Sequence, residues 1–284
     1  MIGKKTALIL LSGLLLGSAG LLQAPAEPAS ELPFTVRPFR TGPEWKGKTV
    51  LVEFFTGSEC PPCAGADLGL DALLETFESK ALTVLAYHVP IPRPDPMQNH
   101  ASLRRAAAYA IDSAPSVYFD GAAGPRGGGP AVYGERLYEV YKKEVLRRLN
   151  AAPGVKLGLS AALKGDNVVV SYTLDKIPPD AEFHFALVQE EEKYSGYNGI
   201  DRHHRVVKEL ITLEAAPKPS GRLTINLTAA EAAAVKHVAD FERLRRIAFP
   251  AKLTAIGRRG LRVVFFVQDR ISGSILNAST AEVK

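Results

Sequence analysis

Cysteine is almost absent from this chain of 284 residues, occurring only at Cys60 and Cys63. An exported protein that uses disulfides as scaffolding carries more of them, spread along its length, so one close pair reads as chemistry rather than as staples. Long apolar runs are missing after residue 22, which excludes a helical membrane span from the body of the chain. Charge of one sign is not in large excess either. The formal net charge of +5 falls to +3 once Lys4 and Lys5 are set aside with the first 26 residues. Basic pairs such as Lys142-Lys143 and Arg147-Arg148 alternate with acids and apolar residues, as on a solvated helix face, so nucleic acid is not an expected partner. The glycine-rich run at residues 124–130 lacks the Lys-Ser/Thr ending of a phosphate loop and reads as a flexible hairpin loop. No organic cofactor is implied.

The first residues address the compartment. Met1 to Lys5 hold two lysines and no acid, residues 7–22 are apolar apart from Ser and Gly, and Ala24-Pro25-Ala26 offers a small-residue cleavage site. This order predicts a secretory signal peptide over residues 1–26, with an uncleaved anchor as the alternative. The chain is then exported, periplasmic or secreted, with no stable membrane span after cleavage. Residues 27–43 are rich in Pro, Glu and Ser and read as a linker or leading arm.

The remaining length suits two domains. The run TVLVEFF at 49–55 is a strand buried on both faces, CPPC at 60–63 opens a helix reaching about residue 78, and LTVLAYH at 82–88 is a second buried strand. Four prolines within 90–96 break regular structure, and an Ala- and Arg-rich helix follows over 97–111. Short strands are expected at 116–119 and 131–133, then an amphipathic helix over 134–150. The reading β-α-β-α-β-β-α predicts a mixed sheet flanked by helices over residues 44–151. Beyond the Ala151-Ala152-Pro153-Gly154 boundary the period changes to two. Seven alternating runs, at 155–163, 167–175, 183–190, 205–213, 221–227, 261–268 and 274–283, predict an all-β antiparallel sandwich over 154–284. A helical insertion interrupts it near 229–247.

A thiol does redox chemistry as thiolate, and a helix start, with unpaired N–H groups and the positive end of the macrodipole, favours that form at Cys60. Cys63 lies almost one turn on, at a Cα separation of roughly 5–6 Å that a disulfide accepts. A mixed disulfide on Cys60 is then within reach of Cys63. A static disulfide and half of a metal site are the alternatives.

On these residues the chain resembles thioredoxin-like periplasmic proteins, including the reductases of cytochrome c maturation. KGKTVLVEFF at 46–55 and CPPC at 60–63 look like their entry strand and active site, and APSVYFDG at 114–121 is similar to their cis-proline segment. The resemblance is closer to a secreted, poorly characterised branch of that superfamily with a C-terminal β domain, through EFFT at 53–56 and LAYHV at 85–89. It covers residues 46–135 well and the second half loosely. It implies that Cys60 attacks, Cys63 resolves, Pro115 is a cis-proline shaping the substrate groove, and Glu53 stands near a buried acid that passes a proton to the second cysteine. Glu53 is one residue displaced from that position, and its alternative reading is an edge-facing or Lys-paired glutamate. Pro62 in the third motif position leans toward reduction. Two departures stand out: Glu59 replaces the usual Trp before the first cysteine, where its charge opposes the thiolate, and Ala114 replaces a polar or β-branched residue.

Other residues receive plainer readings. His88, at the carboxyl end of its strand, reads as a capping histidine, with a metal role alongside the cysteines as the alternative. His203 and His204 point to opposite faces and read as exposed strand residues. Thr56 and Cys60 lack the Thr-x-x-Cys spacing of peroxiredoxins. The function expected is an exported thiol–disulfide oxidoreductase acting on protein disulfides with an unknown redox partner. A binding or envelope-associated protein with a structural disulfide, its β-sandwich holding a protein partner, is the alternative.

Overall fold

The computed structural model describes residues 32–213 and 218–284. The expected signal peptide lies outside the described residues. Residues 34–284 form one compact unit.

Two sheets organise that unit. β1 (Val50–Thr56) and β2 (Leu82–His88) are buried along their whole length and run parallel, from Val50 opposite Leu82 to Thr56 opposite His88. The antiparallel strand β3 (Ser116–Phe119) flanks β1 and is followed by the two-residue β4 (Ala122–Ala123). Helices α1 (Ala64–Thr76), α2 (His100–Ala108) and α3 (Gly134–Leu149) come from the same half. The start of α2 at residue 100 rather than 97 is set by Asn99, whose side chain accepts from Ser102 N–H at 3.0 Å. The strand expected at 131–133 is instead a 3₁₀ turn leading into α3.

The second half supplies β5 (Leu157–Lys164), β6 (Asn167–Leu174), β7 (Ala181–Lys193), β8 (Arg202–Leu213), β9 (Ser220–Asn226), helix α4 (Leu227–Arg245), β10 (Leu261–Asp269) and β11 (Ile275–Glu282). These strands match the seven alternating runs closely, but they do not all join one separate sandwich. Only β5, β6 and β9 form their own antiparallel sheet; β7, β8, β10 and β11 extend the first half's sheet in the order β11-β10-β7-β8-β2-β1-β3-β4. The junction is the parallel pairing of β2 with β8 at Ala86 and Val206. β2 is buried on both faces and has a free edge; β8 covers it, so the halves share a sheet.

The large sheet curls. Ile275 N–H, at the start of β11, donates to Asp120 O beside β3 at 3.0 Å, and Lys48 Nζ reaches Ile275 O at 3.1 Å. The curl encloses a core of Leu51, Phe55, Leu85, Tyr87, Val188, Val207, Val264 and Phe266. A second core lies between the three-stranded sheet and the β7–β10 region, where Phe185 and Phe265 stack at 4.4 Å and Tyr172 packs on both. At about 25 cal/mol per Å² of apolar surface, such buried aromatics are the main favourable term holding the sheets together. The arm expected before the first domain is docked from residue 34: Phe34 packs on Tyr138 of α3 and Phe39 on Phe77 after α1. No helix among the described residues is long and apolar enough to cross a membrane.

Candidate redox site

Strand β1 delivers the chain to a turn at Gly57, and Cys60 N–H donates back to Gly57 O at 3.1 Å. Pro61–Cys63 then forms a 3₁₀ turn, in which proline costs nothing because first-turn N–H groups have no partner. Cys63 caps α1. Cys60 and Cys63 are joined as a disulfide with a Cα separation of 5.3 Å, inside the range read from the spacing.

The Ala114–Pro115 bond is cis, and Cys60 Sγ stands 3.6 Å from Ala114 O. The glycine-rich loop completes the wall on this side. Gly129 N–H donates to Pro62 O at 2.6 Å, and Gly65 N–H donates to Gly129 O at 2.9 Å. Gly128 is wedged so tightly that a Cβ there would stand 2.5 Å from Pro62 O and 2.7 Å from the Pro115 ring. A cleft of about 550 Å³ opens beside Pro115, lined by Ile111, Ser113, Ser116 and Arg126 among others. That volume is in the range of a ligand-binding cleft. The sulfurs themselves are covered: Cys60 is 1% exposed and Cys63 is fully buried.

Glu53 departs from its expected role. Side chains alternate across a strand, so Glu53 and Phe55 point to the α2 face, while Thr56 points to α1 and its hydroxyl lies 3.2 Å from Asp67. Glu53 is therefore on the opposite face from the helix that carries the cysteines. Arg105 of α2 grips its carboxylate at 2.6 and 2.8 Å, and Tyr109 OH donates to it at 2.6 Å. The carboxylate is thus engaged by a buried cation and a phenol on the face away from the cysteines, a paired glutamate with arginine rather than lysine as the cation. Burial alone would lower the Arg105 pKa; the Glu53 charge overrides it and holds the guanidinium firmly protonated.

A second buried acid near the cysteines, Asp67, escaped the sequence reading. It lies four residues, one helical turn, beyond Cys63 on the same helix face. Burial pushes its carboxyl well above the usual range, and the charge of Asp71 adds to the effect. An acid inside the first turn of the helix, at i+4 from the second cysteine, was the available signal.

The second half closes the other side. The tip of the β7–β8 hairpin lies on the turn before Cys60: Asn198 N–H donates to Ser58 O at 2.9 Å, and Tyr194 OH donates to Glu59 at 3.3 Å. Glu59 is buried beneath it. His203, expected as an exposed residue, is buried because β8 is interior to the sheet; its ring meets that of His88 edge-on at 5.3 Å. His204 leaves on the opposite face and bonds Asp71 at 2.9 Å. His88 is bonded to Asp95 at 3.0 Å. Among the described residues no group of three or more His, Cys, Asp or Glu is placed to hold a metal ion.

No family model matches the chain, and no curated protein matches its sequence. Among solved structures, it is similar to protein AGR_C_4864 from Agrobacterium tumefaciens, at 17% identity and a TM-score of 0.48, covering 82% of this chain and 93% of that one. It is also similar to HBP35 of Porphyromonas gingivalis, at 14% identity and a TM-score of 0.48, covering 84% of this chain and 76% of the other.

Proposed function

We propose that this chain is an exported thiol–disulfide oxidoreductase of thioredoxin-like type, acting on protein disulfides through Cys60 and Cys63. The observation that carries the reading is the juxtaposition at Cys60: a helix-start disulfide whose first sulfur lies 3.6 Å from Ala114 O, beside an open cleft at Pro115. A backbone segment so placed can align a substrate strand against the sulfur under attack.

The exchange needs no cofactor. In the reducing direction the Cys60 thiolate attacks one sulfur of a substrate disulfide, forming a mixed disulfide and releasing one substrate thiolate, which takes a proton. The Cys63 thiolate then attacks the Cys60 sulfur, forming the Cys60–Cys63 bond and releasing the second substrate thiol. Two electrons pass to the substrate, and an external dithiol returns them to the enzyme. Asp67, one turn beyond Cys63 and with its carboxyl held well above the usual range by burial, is the proton-handling acid in this scheme. Pro62, by family resemblance, favours this reducing direction.

The burial of both sulfurs favours a second reading, a binding protein whose disulfide is structural. Equilibration of the full chain with glutathione separates the two. A catalytic pair opens at a potential above about −300 mV, whereas a structural one resists reduction below it. Cys63→Ser should also trap a mixed disulfide with substrate, and Cys60→Ser should trap none.

A further inference from the structure

The turn that presents Cys60 is held by a residue outside the C-x-x-C motif. Asp95 lies in the proline-broken stretch after β2 and is fully buried. A carboxylate there is costly without partners, and four donors surround it: Ser58 N–H at 2.5 Å, the Ser58 hydroxyl at 2.8 Å, Met97 N–H at 2.8 Å and His88 Nδ1 at 3.0 Å. Burial works to raise its pKa, but the His88 charge and the hydrogen bonds from His88, Met97 and Ser58 hold it below the usual carboxylate value.

Ser58 is itself fully buried, two residues before Cys60. The fit is close: a Cβ at Gly57 would stand 3.3 Å from Val89 O and 3.4 Å from Asp95 Oδ2. Asp95 thus takes the donors of this turn, while Asn198 bonds its acceptors, Ser58 O and Gly57 O, from the hairpin side. The charged and titratable groups facing Asp95 are His88 from β2, His203 from β8, Tyr194 from the hairpin and Asp67 from α1. Glu59, in the turn, is joined to the same set through Tyr194.

We propose that Asp95 is a positioning residue for the Cys60–Cys63 couple: it fixes the turn that presents Cys60, and its buried charge, offset by His88, sets how readily Cys60 gives up its proton. The proposal rests on reading the pair as redox-active. A negative charge behind the turn opposes a thiolate, and the His88 imidazole hydrogen-bonded to that charge weakens the opposition. Asp95 and His88 therefore act on Cys60 with opposite signs.

The test follows alkylation of Cys60 by iodoacetamide against pH, in the reduced full chain carrying Cys63→Ser so that one thiol reacts. Adding Asp95→Asn, which keeps an acceptor but removes the charge, should speed alkylation at pH 7 about tenfold, a shift of roughly one pKa unit. Adding His88→Asn should slow it by a similar factor. Shifts of opposite sign support the proposal. No shift, or both variants moving the same way, overturns it, because a merely loosened turn would affect both alike. Should Asp95→Asn fail to fold, Ser58→Ala takes its place: it keeps the carboxylate with one donor fewer and should slow alkylation as His88→Asn does, and an unchanged rate is the overturning result. Failure of the redox reading shows separately, in the unmutated chain, as a disulfide that glutathione does not open.

Discussion

Glu53 of β1 and Arg105 of α2 meet as a two-pronged ion pair inside the curled sheet, and Arg105 also donates to Gln268 of β10 at 2.9 Å. Three elements from both halves of the chain therefore converge on one guanidinium. Removing the acid leaves that cation buried and unpaired. Glu53→Gln should cost about 3–5 kcal/mol in urea unfolding, whereas replacing both residues with apolar ones of similar volume should cost much less. Thiol exchange by the folded fraction of Glu53→Gln should stay near wild type, since the pair faces away from α1. A selective loss of exchange rate with stability intact would return Glu53 to the mechanism.

Asp67 has the opposite character. Its carboxyl is held well above the usual range, so the folded state binds this proton more tightly than the unfolded chain does. The stability it contributes is present below the unfolded carboxylate value, about 3.9, and is lost as pH rises. Asp67→Asn should accordingly raise the melting temperature at pH 7 by a few degrees, with the gain vanishing toward pH 4. The same variant should flatten the pH dependence of the resolving step. Unchanged melting at pH 7 would contradict the burial argument.

Two buried histidines set the acid limit of stability. Burial, with the charges of Arg105 and Arg104 nearby, pushes His184 down to about 3, and burial with the His88 charge pushes His203 down to about 4. Both lie below the unfolded value, near 6.5. Between these values the unfolded chain takes up protons that the folded chain refuses, so stability falls as pH falls from about 6.5. Each histidine adds up to about 1.4 kcal/mol per pH unit to the slope, ending near pH 4 for His203 and pH 3 for His184. Urea unfolding at pH 7, 5 and 4 measures the slope. His184→Asn should remove one histidine's share, and an unaltered slope would count against it.

The elements were legible where one period dominates. LTVLAYH and SVYF are strands at the residues read from the sequence, and the cysteine spacing gave the bridge geometry. Pairing partners were not legible, because alternation marks a strand without naming its neighbour. Nothing local in RHHRVVKELITL says that it lies beside β2, so the two halves read as separate, and His203, interior by virtue of that pairing, read as exposed. Arg105 was hidden for a related reason: an Ala- and Arg-rich helix looks solvated, and which arginine turns inward depends on a glutamate 52 residues earlier. The buttress of the Cys60 turn was obscured by the prolines around Asp95, which announce an irregular segment and not what it holds.

The pairing of β2 with β8 also bears on how the chain folds. β2 is complete early in synthesis, yet the strand that covers its edge comes from the far side of β5, β6 and β7. Until β8 emerges, the nascent first half carries an unpaired parallel edge and an open apolar interior at Phe55 and Tyr87, the kind of surface on which chains associate wrongly. Long-range pairing of this sort makes folding slow. The interval before β8 docks is when the polypeptide most needs a chaperone and is most open to proteolysis.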